Sequence, residues 1–139
     1  MTVYLDTSAM LRVLFHEANP IRIWGQWSQA YSSSLLRVEA FRAVDRLRLK
    51  GKLTDLEVAS LATDIQIVRD TLVTVPLNDS ILRRASEAFP TTVGTLDALH
   101  LATALAVREF EPLDLLLTHD HQLGVAARSL GFTVQGIEN

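Results

Sequence analysis

The sequence predicts a three-layer α/β/α domain built on a mainly parallel sheet of about five strands. Two observations carry this. Short apolar, strand-like runs alternate with longer segments whose apolar residues recur at helical spacing, the pattern of parallel strands joined by helical crossovers. No internal repeat, Pro/Gly/Ser-rich linker or composition shift marks a second domain, so residues 1–139 read as one unit. A chain of this length can bury roughly 70% of its unfolded surface on folding.

Thr2 to Leu5 reads as the first strand. Ala9 to Phe15 and Ile21 to Ala30 read as helices, interrupted around Asn19-Pro20. Tyr31 to Ser33 is a short strand, placed by its position between helical patterns. From Leu35 to Leu49 the apolar positions Leu35, Val38, Phe41, Val44 and Leu47 repeat at helical spacing. A further helix starts at about Thr54, with Glu57 three residues on to complete a capping box. Leu72 to Val75 reads as a buried strand ended by Pro76, and Ser80 to Phe89 as helical. Gly94-Thr95 opens a helix, Leu96 to Glu109, that is apolar on nearly every face and so belongs inside the protein or under a partner. Leu113 to Leu117 is a strongly apolar strand. Asp120 stands at the N-cap of a helix running to Leu130, Gly131 suits its termination, and Phe132 to Val134 forms a final strand.

Composition narrows the classes of function. No apolar run reaches the ~18–20 residues that a membrane span requires, and no secretory leader is expected from the opening M-T-V-Y-L-D. With no cysteine there is no disulfide, thiolate zinc site or cysteine nucleophile, which fits a reducing, cytoplasmic setting. The formal charge of −3 does not announce nucleic acid. The distribution says more: six of the thirteen cationic residues, Arg37, Arg42, Arg46, Arg48, Lys50 and Lys52, fall in one 16-residue stretch.

Parallel sheets place ligand sites beyond the carboxyl ends of their strands. Asp6 directly follows the first strand, and Asp120 comes soon after the strand ending at Leu117. If those strands are neighbours, about 4.8 Å apart, both carboxylates reach one small volume. Glu39 and Asp97 lie early in helices that start from that same edge. Each acid also has a local role open to it. Asp97 can stabilise its helix N-terminus, worth a few tenths to ~1 kcal/mol, and Asp120 can act as an N-cap, worth ~1 kcal/mol. Asp6 can cap the helix after the first strand, and Glu39 can pair with Arg42. Together they point further. Carboxylates crowded into a small space repel one another unless protonated or sharing a cation, and a hard divalent ion with oxygen ligands, Mg²⁺ or Mn²⁺, resolves the repulsion.

The opening V-Y-L-D-T-S-A, the segment S-S-L-L-R-V-E-A, the run L-D-A-L-H-L-A-T-A-L and the closing L-L-L-T-H-D-H-Q-L-G-V-A-A-R-S-L-G resemble a PIN domain. More narrowly, they are similar to the ribonuclease toxins of VapBC toxin–antitoxin pairs. The resemblance covers essentially the whole chain, in the family's order. It implies a metal-dependent, single-strand-directed ribonuclease, inhibited by a cognate antitoxin and dimer-forming. The family's acidic quartet falls on Asp6, Glu39, Asp97 and Asp120, with supporting hydroxyls at Ser8 and Thr118. Asp6 and Asp97 are expected to ligate the ion directly, with Glu39 and Asp120 doing so directly or through a neighbour.

Phosphodiester hydrolysis places negative charge on the non-bridging and leaving oxygens, which a carboxylate-held divalent ion offsets while activating water. With water as nucleophile the expected ends are 5′-phosphate and 3′-hydroxyl. Arg42, Arg46 and Lys50, at i, i+4 and i+8, make a cationic stripe able to track a phosphate backbone, or else a solvated outer face. His119 and His121 flank Asp120, but residues two apart do not share a helix face, so zinc is disfavoured. His100, three residues beyond Asp97, can touch the site, though it reads chiefly as a satisfied helix residue. Phe15, Trp24, Trp27 and Tyr31 read as core, as a partner surface, or as both.

Other hydrolytic readings fit less well. A haloacid-dehalogenase-like phosphatase needs a second Asp two residues after the first, where this chain has Ser8. A response-regulator receiver needs a lysine after its last strands, and this chain has only Lys50 and Lys52. A stand-alone PIN nuclease in RNA processing, and a non-catalytic module whose acidic pocket grips a partner's arginine, remain as alternatives.

Overall fold

Strands and helices alternate from the first residues of the computed structural model, which describes residues 1–138. Asn139, the last residue of the domain expected over 1–139, lies outside the described residues. The elements are β1 (Thr2–Leu5), α1 (Thr7–Leu14), β2 (Gln29–Ser33), α2 (Leu35–Leu49), α3 (Asp55–Asp70) and β3 (Val73–Val75). They continue with α4 (Asp79–Ala85), α5 (Thr95–Phe110), β4 (Leu115–Leu117), α6 (His121–Ser129) and β5 (Val134–Gln135). The sheet order is β3-β2-β1-β4-β5, and every pairing is parallel.

The three layers follow from the period-two geometry of β1. Val3 and Leu5 point into a core closed by α1, α2 and α3, while Tyr4 points into a second core closed by α5 and α6. A strand covered on both faces has no solvent side to place polar residues on, which is why Thr2–Leu5 and Leu115–Leu117 read as apolar runs; β4 starts at Leu115, two residues later than expected, because Asp114 is exposed and accepts from the Thr2 N–H. α5 is the most enclosed helix: Leu101, Ala102, Thr103, Ala104 and Val107 are buried, in keeping with its all-round apolar sequence. The capping box of α3 is formed, with Thr54 Oγ1 accepting from the Glu57 N–H at 3.1 Å and Glu57 Oε1 accepting from the Thr54 N–H at 3.0 Å. Asp120 caps α6, its Oδ1 accepting from the Leu123 N–H at 3.0 Å. Gly131 follows that helix at φ +89, a conformation L side chains rarely adopt.

Several elements differ from expectation. Ile21–Ala30 is not a helix: turns occupy its first half and β2 begins at Gln29. Gly25 at φ +76 and Asn19 at φ +55 turn the chain there. The apolar residues that mimic helical spacing, Ile21, Ile23, Trp24 and Trp27, are a loop packed onto the first core. Trp24 and Trp27 meet edge to face with centroids 5.2 Å apart. β3 is an edge strand with Val73 and Thr74 exposed, not a buried one. α4 stops at Ala85, short of Phe89, and Phe132 joins the core without belonging to the last strand.

Candidate metal centre

β1 and β4 are neighbours, so the residues just beyond their carboxyl ends meet. The Asp6 N–H donates to Leu117 O at 2.9 Å, pinning Asp6 against the end of β4. The buried Asp6 carboxylate uses one oxygen for support. Its Oδ2 accepts from Ser8 Oγ at 2.6 Å and from Thr118 Oγ1 at 2.7 Å. Those hydroxyls are themselves held, Ser8 Oγ accepting the His119 N–H at 2.9 Å and Thr118 Oγ1 the Asp120 N–H at 3.0 Å. Gly136, at φ +114, passes so close that a Cβ there would collide with the Thr118 carbonyl oxygen. Glycine is required to seat Thr118. Asp6 Oδ1 is left facing His100 Nε2 at 3.4 Å.

Glu39 arrives from the second turn of α2. Its Oε1 accepts from Thr7 Oγ1 at 2.8 Å and from His100 Nε2 at 2.6 Å. Burial opposes the charge of Glu39, but the bonds from His100 and Thr7 and the positive ring outweigh it and hold the carboxyl below its usual range. His100 is 1% exposed, with Nδ1 2.8 Å from the Tyr4 hydroxyl. Burial pulls the ring's pKa down, yet the bond to Glu39 and the charges of Asp6, Glu39 and Asp97 prevail and raise it. Tyr4 stays protonated: burial first, then the Asp6 charge, push its phenol well above the ordinary value. Ligand atoms of Asp6, Glu39 and His100 all lie within 4.8 Å of one another.

Asp97, in the first turn of α5, is pushed up to about 6, first by burial and then by the charges of Asp120 and Asp6. Asp120 also raises Glu39, so the four acids feel one another across the same edge of the sheet. The cap of Asp120 engages Oδ1. Asp6, Glu39 and Asp97, from the end of β1, α2 and α5, offer oxygen donors suited to a divalent cation, with His100 bridging Asp6 and Glu39.

One participant escaped sequence reasoning, Thr7, signalled only by following Asp6. His100, whose i+3 spacing from Asp97 had marked it as able to touch the site, is central. The expected Glu39–Arg42 pairing is absent among the described residues: Arg42 pairs with Asp45 at 3.5 Å, which also takes Arg48 at 2.8 Å. His119 Nδ1 bonds to Gly136 O at 2.8 Å and His121 is exposed, so neither joins the Asp6 group. Tyr31 is buried with its hydroxyl on Glu111, and Phe15, Trp24 and Trp27 are half-buried against the core.

A five-stranded parallel sheet with acids converging beyond its central strands defines the class: the chain belongs to the PIN-domain family, whose model matches residues 3–128. Within it, the chain is 31% identical to Ribonuclease VapC47 of Mycobacterium tuberculosis (strain CDC 1551 / Oshkosh), over 94% of this chain and 93% of that protein. It is 27% identical to Ribonuclease VapC35 of the same strain, over 95% and 94% of the two chains. Among solved structures it resembles FitAcB from Neisseria gonorrhoeae (TM-score 0.66, 16% identity, 95% of each chain). It also resembles PAE2754 from Pyrobaculum aerophilum (TM-score 0.65, 18% identity, 96% of this chain and 83% of that one). A third similar structure is VapBC2 from Rickettsia felis bound to a promoter DNA fragment (TM-score 0.65, 14% identity, 97% and 98% of the chains). At these identities the structures speak to the fold.

Proposed function

We propose that the chain is a Mg²⁺- or Mn²⁺-dependent endoribonuclease of the VapC type, the toxin of a type II pair restrained by a VapB-type antitoxin in the cytoplasm. The observation that carries this reading is the approach of Asp6, Glu39 and His100 to within 4.8 Å, with Asp97 and Asp120 in electrostatic reach. The names of the VapC relatives supply the substrate class. No helix among the described residues is long and apolar enough to cross a membrane.

A divalent cation held by these residues supplies positive charge against the non-bridging oxygens of the scissile phosphate. The chain does the rest. Ser8 and Thr118 fix Asp6 so that Oδ1 is presented. His100 and Thr7 hold Glu39 ionised and aimed at the same point. A carboxylate oxygen left free accepts the proton of the attacking water, and the helix N-termini of α5 and α6 bias the edge toward anionic groups.

The test incubates EDTA-stripped protein with total RNA, adds back Mg²⁺ or Mn²⁺, and runs Asp97→Asn in parallel. Cleavage restored by metal in the wild type alone, giving 5′-phosphate ends, supports the reading. Cleavage in EDTA, or 2′,3′-cyclic phosphate products, overturns it.

A further inference from the structure

Resting on that nuclease reading, the geometry points to a route for the substrate: we propose that single-stranded RNA leaves the acids along a groove between α1 and α2, its phosphates on Arg46 and Lys50. The groove has a volume of about 410 Å³. Its lining brings together Ser8 and Asp120 from the acidic edge, Arg46 and Lys50 of α2, and the half-buried Phe15 at the end of α1.

The periodicity of α2 explains why these residues share the groove. At about 100° per residue, Arg46 and Lys50 fall within about 20° of the direction of Glu39, whereas Arg42 is turned about 60° away. With a rise of about 1.5 Å per residue, the two cations stand about 10 and 16 Å along the helix from Glu39. A strand whose scissile phosphate lies on the acids meets them a few nucleotides on.

Occupancy separates the members of the basic stripe. Arg42 is engaged by Asp45 and does not line the groove. Among the described residues Arg46 and Lys50 make no ion pair, and both are exposed. Arg12 also lines the groove, but Glu17, itself a lining residue, lies 3.9 Å from its Nε. Unpaired cations and an aromatic ring lining one groove are the combination that binds single strands, the cations taking the backbone and the ring a base face. An acidic peptide would find the cations but has no flat group for Phe15.

The test measures binding of a labelled single-stranded oligoribonucleotide against KCl concentration, beside cleavage of the same RNA and of bis(p-nitrophenyl) phosphate. Replacing Arg46 and Lys50 by Gln together is expected to flatten the slope of log K against log [KCl] by about 1.4, about 0.7 per lost contact. Phe15→Leu, which preserves apolar packing, is expected to weaken binding without changing that slope. Arg83→Gln and Arg128→Gln together, exposed on α4 and α6, make the comparison at equal charge change and are expected to leave binding intact. Hydrolysis of the small diester by the wild type reports the acids independently of the groove.

An unchanged slope in the double variant overturns the route. So does retained RNA binding with loss of binding to an oligo-glutamate peptide, which reassigns the groove to an acidic segment. Failure of the wild type to hydrolyse either substrate overturns the nuclease reading instead, and leaves the binding slopes to decide the groove.

Discussion

His100 Nε2 stands 2.6 Å from Glu39 Oε1 and 3.4 Å from Asp6 Oδ1, so one ring N–H spans carboxylates carried by α2 and by the end of β1. Glu39 is held ionised and accepts from the ring, and Asp6 lies in ion-pair reach of the same nitrogen. In the metal-free protein it therefore does part of the work of a cation, holding together two groups that would otherwise repel.

His100→Ala is accordingly expected to cost roughly 3 kcal/mol in EDTA, by leaving a cavity, an unpartnered Tyr4 hydroxyl and an exposed acid–acid repulsion. Saturating Mg²⁺, which prefers oxygen ligands, is expected to shrink that loss by replacing the missing positive charge. Chemical denaturation with and without Mg²⁺ measures both. A loss that grows in Mg²⁺ would show the ring to be an indispensable ligand and would contradict this account.

Asp97 carries a cost in the absence of metal. Its folded pKa of about 6 lies above the ordinary 3.8, because burial and the charges of Asp120 and Asp6 disfavour the carboxylate. The folded state thus binds the proton more tightly than the unfolded chain. The associated stabilisation is fully present below about pH 4 and is lost as pH rises through about 6. Asp97→Asn removes the titration. In EDTA at pH 7.5 it is expected to stabilise the fold by roughly 1 kcal/mol, discounting the shift for its partial exposure, or roughly 3 °C in Tm. The advantage is expected to vanish near pH 4, while RNA cleavage falls by roughly 100-fold or more. Thermal melts at the two pH values decide it, and an Asn variant less stable at pH 7.5 would sink the argument.

Legibility in the sequence tracked the physics that each residue answers to. β1 and β4 were readable because two-sided burial leaves an unbroken apolar run, and α3 because its cap is local, Thr54 to Glu57. The loop carrying Trp24 and Trp27 was misread because burial, not helical geometry, sets its spacing, and a positive φ at Gly25 has no periodic signature. Asp6, Glu39, Asp97 and Asp120 could be placed on one edge from strand and helix ends alone. His100 had only its i+3 spacing from Asp97 to mark it. Its role arises where α2 and α5, on opposite faces of the sheet, meet beyond the carboxyl end of β1, a contact between residues 61 positions apart that no local pattern encodes.

Ser8 and Thr118 act on Asp6 through its Oδ2, and the backbone N–H groups of His119 and Asp120 that donate to their oxygens make them rigid. Ser8→Ala and Thr118→Val are expected to let Asp6 rotate, weakening metal affinity roughly 10-fold or more. Each is expected to cost about 1–2 kcal/mol of stability, since a buried carboxylate and a backbone N–H lose partners. The signature is that raised Mg²⁺ restores most of the cleavage rate. A metal titration checks this, and a rate that stays low at saturating Mg²⁺ would mean that the hydroxyls act on the substrate directly.

Asp120 combines two roles that substitution can separate. Its Oδ1 caps α6 on the Leu123 N–H, while its charge is felt at Asp97 and Glu39. Asparagine is as good an N-cap as aspartate but carries no charge. Asp120→Asn is therefore expected to leave metal-free stability within about 0.5 kcal/mol of wild type, with the relief of repulsion at Asp97 set against the lost charge at the helix N-terminus. Metal affinity is expected to fall in the same variant. Asp120→Ala is expected to lose both, with a further destabilisation of about 1 kcal/mol from the open helix end. Calorimetric Mg²⁺ titration of the two variants beside their denaturation curves makes the comparison. If Asn binds metal as wild type does, Asp120 serves the helix alone and the cation is held by Asp6, Glu39 and Asp97 without it.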